Sequence, residues 1–216
     1  MTQTTILPTL LIAAGLTFAG NASAAAETKA DAKDIQKIEN YLNSVKTMRA
    51  DFVQIASNGE QVEGRIYIEK PNKIRMEYDK PADVLIVGNG DYVVYFDKEL
   101  EQITNIDYED IPAAAILANT VKIDGKEIKL LDYYEDPGVT RVRLEYADAG
   151  DLGPFTLVFA NQPFELRQWK VLTPQAMEVS LSLYNAVTDG KLDESLFEFR
   201  KNEETGDSRR DRFKRK

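Results

Sequence analysis

The chain reads as a mainly β protein, an antiparallel sheet of about ten or eleven strands with one clear helix and one short inserted helix. Three observations predict this. From Ala50 onward apolar residues recur at every second position, the period of a half-buried strand. Turn signals such as Asn58-Gly59, Pro71-Asn72 and Asn89-Gly90 separate these runs at hairpin spacing. A sustained helical period is clear only in one early segment, Asp34 to Val45.

In that segment Ile35, Ile38, Leu42 and Val45 form a single apolar stripe, with Asp31 or Asp34 placed to cap its start. A helix with one face to bury should lie against the sheet. Phe52 and Gln54 then share one strand face, with Asp51, Val53 and Ile55 on the other. Val62, Gly64, Ile66 and Ile68 alternate with Glu63, Arg65, Tyr67 and Glu69. Ile74, Met76 and Tyr78 alternate with Lys73, Arg75 and Glu77. Short strands follow at 84–87, 92–96 and 100–106, joined by tight turns, so an antiparallel meander is the economical topology. At Asp110 the pattern breaks. The alanine-rich run 111–118, with Pro112 in its first turn, predicts a short helix apolar nearly all round. Strands resume at 128–134, 140–146, 155–159, 164–172 and 177–186, and Leu192, Leu196, Phe197 and Phe199 form a last apolar cluster.

An antiparallel sheet this long must curl, split or close. Its interior is either packed or hollow, and composition does not distinguish the two. Tyr92, Tyr95 and Phe96 crowd one hairpin strand, and Phe155, Phe159, Phe164 and Trp169 crowd the C-terminal strands. These residues serve either ordinary core packing or the lining of a cavity suited to acyl chains.

Several chemistries are excluded. The chain has no histidine and no cysteine, so the commonest zinc ligands, the usual neutral-pH base and thiolate chemistry are all missing. The carboxylate pairs Glu109-Asp110 and Glu203-Glu204 lack the apolar flanks that would raise a pKa for acid catalysis. Gly88-Asn89-Gly90 lacks the lysine and following helix of a phosphate loop. No catalytic residue, metal site or cofactor is expected. The net charge of -9 argues against nucleic acid as a partner. The exception is Arg209 to Lys216, a basic segment that either steers a partner or is simply a solvated end.

Residues 1–24 carry no charge and contain the apolar run from Leu10 to Leu16, followed by Ala22-Ser23-Ala24. That pattern predicts a signal peptide cut after Ala24, and the apolar run is shorter than the ~18 to 20 residues of a membrane span. With no cysteine after it, the mature product is expected to be soluble and not acylated at a thiol.

The ordered motifs resemble those of the outer-membrane lipoprotein carriers, the LolA family. They are Phe52-Val53-Gln54; Gly64 through Tyr78 with Lys70-Pro71-Asn72 at its centre; Val87-Gly88-Asn89-Gly90 leading to Val94-Tyr95-Phe96-Asp97; Leu166 to Val171 around Trp169; and Leu192-Asp193 with Leu196 to Phe199. Together they cover residues 33–200. The resemblance implies an unclosed, strongly curved antiparallel β-barrel of about eleven strands, with helices covering the concave face. It implies a periplasmic chaperone, a monomer, that takes acylated lipoproteins from an inner-membrane ATP-binding transporter and passes them to an outer-membrane lipoprotein receptor.

The family's arginine beside the Pro-Asn turn, linked to lid closure, falls on Lys70, which keeps the charge but not the planar donor fork. A family aromatic needed for loading falls on Ile74. Phe52, Lys70, Ile74, Met76, Tyr95, Ile111, Ile116, Leu117 and Trp169 are the expected cavity or lid residues. The expected organisation is a signal peptide over 1–24, a carrier domain over 25–200 and a charged tail over 201–216. Two other readings stay open: a periplasmic binder of free lipid or glycolipid, and a non-catalytic envelope-stress sensor or scaffold.

Overall fold

The computed structural model describes residues 30–108, 111, 114–148, 152–173 and 177–201. The expected signal peptide, the basic segment 209–216, Asp110 and Pro112 lie outside these.

Helix α1 (Ala32–Ser44) opens on a capping box. Asp31 accepts from the backbone N–H groups of Lys33 and Asp34 at 2.7 and 3.0 Å, and Asp34 accepts from the Asp31 N–H at 2.9 Å. Its apolar stripe buries Ile38 and Leu42, while Gln36, Lys37 and Asn40 are exposed. Eleven strands follow: β1 (Thr47–Ala56), β2 (Gln61–Glu69), β3 (Lys73–Tyr78), β4 (Val84–Asn89), β5 (Val93–Asp97), β6 (Gln102–Ile106), β7 (Ile128–Asp136), β8 (Val139–Tyr146), β9 (Phe155–Asn161), β10 (Phe164–Leu172) and β11 (Glu178–Thr188).

All eleven belong to one antiparallel sheet in the order β6-β5-β4-β3-β2-β1-β11-β10-β9-β8-β7. Two meanders are thus joined at their first and last strands. Phe52 of β1 stands opposite Gly64 of β2 on one side and Leu183 of β11 on the other. The register keeps one set of side chains on one face throughout. Phe52, Ile66, Met76, Leu144, Phe155, Leu157, Trp169 and Leu183 share that face and belong to one buried cluster with Ile38 and Leu42 of α1.

The expectation of a strongly curved barrel with helices over its concave face is corrected here. The sheet is open and not strongly curled, with β6 and β7 as its two ends. β6 exposes nearly every residue, and Leu130 and Leu131 of β7 are exposed, so the ends have no apolar surface committed to closure. Among the described residues one α-helix, not several, lies over the sheet, and the run expected as a short helix supplies a 3-10 turn, Ala114–Leu117. The opposite face carries a core of its own. There Leu85, Val87, Val94 and Phe96 pack with Phe199, whose ring meets Phe96 edge-on at 5.4 Å. A second 3-10 turn, Glu194–Phe197, brings the chain back to this face. Arg75, 2% exposed, receives it there by donating to the Leu196 carbonyl at 3.2 Å, and pairs with Glu77 at 2.7 Å.

Candidate functional site

The site is the sheet face under α1 and the 3-10 turn Ala114–Leu117. Alternation along β1, β3 and β10 sends Phe52, Ile74, Met76 and Trp169 to this face, all buried, and the turn adds Ile116 and Leu117 to the same cluster. Tyr95 of β5 and Ile111 are half-buried and lie outside that cluster. Phe52 is held by an edge contact with Tyr78, ring centres 5.0 Å apart. Tyr41 of α1 meets Phe159 and Phe164 edge-on at 5.7 and 5.8 Å, seating the helix on β9 and β10.

Lys70 is not in the apolar cluster. It sits in the β2–β3 turn and donates through Nζ to the Leu42 carbonyl at 2.6 Å. That carbonyl belongs to the last turn of α1, where backbone acceptors lack intrahelical partners and a positive charge is favoured. Lys70 therefore serves α1 as a C-terminal clip supplied from the sheet. Burial, and secondarily the neighbouring charge of Lys46, pull its ammonium down to about 8.

The same turn holds the second cover element. The Asn72 N–H donates to the Leu117 carbonyl at 2.9 Å, and the Tyr108 hydroxyl donates to the Asn72 carbonyl. Asn72 adopts a positive φ of 57°, which asparagine tolerates in a tight turn. Farther along, the Ala115 N–H donates to the Tyr146 hydroxyl at 2.6 Å. Burial raises the Tyr146 hydroxyl to about 12, partly opposed by that N–H, so it is a neutral phenol at any ordinary pH. The strand-like stretch after the turn is pinned to α1 by side chains. Asn43 donates to the Val121 carbonyl at 3.0 Å and accepts from the Val121 N–H at 2.7 Å, and Glu39 accepts from the Ile123 N–H at 2.7 Å.

The result is an apolar layer held over an aromatic-rich face by polar clips along its margins. Such a site can sequester apolar chains. Among the described residues no three Asp or Glu side chains converge on a cation-sized point. Sequence reasoning missed the clips Asn43, Glu39, Tyr108 and Tyr146, because a side-chain bond to a backbone group 31 to 84 residues away leaves no periodic trace. It also passed over Gln54, whose signal was readable: a lone amide on the otherwise apolar side of β1.

The model of the family described as outer membrane lipoprotein carrier protein LolA matches residues 43–200, well over half of the chain. The chain belongs to the LolA family. A carrier protein of the same description from Chromobacterium violaceum is 38% identical over 102 residues, covering 46% of this chain and 45% of that one. Another from Pseudoalteromonas translucida is 37% identical over 82 residues, covering 36% and 39%. The matched stretch thus spans under half the length of these LolA relatives. The crystal structure of a LolA superfamily protein from Nitrosomonas europaea aligns over 76% of this chain and 97% of its own, at 9% identity and a TM-score of 0.46, too loose a likeness to carry an argument.

Proposed function

We propose that this LolA-family protein carries the acyl chains of lipoproteins across the periplasm, taking them from an inner-membrane ATP-driven transporter and delivering them to an outer-membrane receptor. The observation that carries this reading is the clipped apolar layer. Ile38, Leu42, Ile116 and Leu117 pack on the sheet face that acyl chains would occupy. Burying an acyl chain gains ~0.8 kcal/mol per methylene. Displacing the layer forfeits part of that gain, which keeps affinity low enough for release. The clips are individually worth about 1 kcal/mol, so cargo can open them one at a time. On this reading residues 1–24 are removed on export, 25–200 form the carrier, 201–216 are a charged tail, and Phe52, Lys70, Ile74, Met76, Tyr95, Ile111, Ile116, Leu117 and Trp169 form the cavity and lid.

Depleting the protein tests this in the cell. Outer-membrane lipoproteins should accumulate at the inner membrane; unchanged sorting in a strain with no second carrier would refute the proposal. Native mass spectrometry of the purified protein separates the alternative: co-purified free phospholipid or glycolipid in place of acylated protein would favour a lipid binder.

A further inference from the structure

The covered face is apolar along β1 except at Gln54, which follows Met48, Ala50 and Phe52 on the same side. Its neighbours across the sheet are Val62 on β2 and Leu181 on β11. The amide is nonetheless held in place. Tyr78, on β3, donates its hydroxyl to Gln54 Oε1 at 2.8 Å. It reaches across a whole strand to do so, and Gly64 makes this possible. Gly64 stands opposite Tyr78 and opposite Phe52, and a Cβ there would lie 2.7 Å from the Phe52 ring. With no side chain at Gly64, Phe52 and Tyr78 meet above it, and Tyr78 continues to the amide. Burial raises the Tyr78 pKa, with the nearby Tyr95 adding to it, so the hydroxyl keeps its proton.

With Oε1 engaged, the Gln54 amide presents its Nε2 donors, for which no acceptor occurs among the described residues. A half-buried, oriented N–H donor at an apolar face is the kind of group that fixes a ligand's orientation. The ligand group that it matches is a carbonyl oxygen joined to an alkyl chain.

We propose that Gln54 is a ligand-binding residue that donates to the ester or amide carbonyl at the head of a bound acyl chain, with Tyr78 as its positioning residue. This rests on the acyl-carrier reading and deepens it: cargo is selected for acyl over alkyl linkage, as well as for apolar length. A carbonyl left unpaired on entering the site would forfeit its hydrogen bonds to water, so the donor also removes an entry cost.

The full chain is titrated with two fluorescent probes of equal chain length, a dipalmitoylglycerol with two ester carbonyls and its dihexadecyl ether analogue with none. The wild-type protein should bind the ester roughly 3- to 10-fold more tightly, the worth of one hydrogen bond. Gln54→Leu should weaken the ester alone and abolish the preference. Tyr78→Phe keeps the ring but releases Oε1, and should narrow the preference without changing ether binding. Gln54→Met serves if the leucine variant fails to fold, as judged by thermal melting. Equal affinity of the wild type for both probes, or equal weakening of both by Gln54→Leu, overturns the assignment and leaves the carrier reading standing. Failure of the wild type to bind either probe overturns both.

Discussion

Neutralising Lys70 should make the protein more stable, contrary to the usual effect of alkali. Its ammonium is drawn from its ordinary 10.5 down to about 8 on folding, chiefly by burial. The unfolded chain therefore holds a proton that the folded chain has lost between about pH 8 and pH 10.5. Stability rises with pH wherever the unfolded state binds more protons. The Lys70 charge thus weakens the fold below about pH 8, and the penalty fades as pH climbs to 10.5. Each unit of pKa is about 1.4 kcal/mol, which sets an upper bound of about 3 kcal/mol. Two effects reduce it. The side chain is partly solvated, and its charge faces the carbonyl end of α1, which stabilises it. A gain of about 1 to 2 kcal/mol is expected. The assay is urea unfolding at pH 7, 8, 9 and 10 for the wild type and for Lys70→Met, which keeps the apolar stem and removes the titration. The wild type should gain on the variant as pH rises. A gap that stays constant, or that moves in the variant's favour as pH rises, would refute the burial argument and mean that the clip to Leu42 offsets or outweighs desolvation.

Other substitutions test the frame around the site. Gly64→Ala would put a Cβ 2.2 Å from the Glu77 carbonyl oxygen and 2.7 Å from the Phe52 ring. A cost of about 3 kcal/mol or more is expected in chemical denaturation, since a backbone oxygen cannot rotate away. Asn43→Ala removes both bonds to Val121 and should cost about 1 to 3 kcal/mol, with hydrogen exchange at the Val121 amide rising ahead of exchange in β1. Phe52→Ala should cost about 3 to 5 kcal/mol, because the ring is 1% exposed and leaves a cavity between β1 and Tyr78.

Much of the frame was legible because it rests on local rules. The period-two runs around Phe52, Ile66, Ile74 and Met76 put these residues on one face, and the stripe Ile35-Ile38-Leu42 marked α1, with its cap narrowed to Asp31 or Asp34. The clips were not legible. Lys70 was expected as a cavity or lid residue, in the place of the family's arginine; its bond to α1 depends on the last turn of that helix arriving 2.6 Å away. The short helix after Asp110 was over-read, since an alanine-rich composition favours helix but four residues of it make only a 3-10 turn.

By itself the sequence determined the strands, their facing, the amphipathic helix and, with no cysteine in the chain, the absence of thiol chemistry. Those follow from side-chain periodicity and residue type, which act over a few positions. Tertiary structure alone decided that β1 pairs with β11, about 130 residues on, and so that two meanders become one sheet. It also decided that the open sheet carries a core on each face, with Phe199 returning to pack on β4 and β5. Long-range pairing is chosen by which surfaces can be buried together, and no window along the chain holds both halves of that choice.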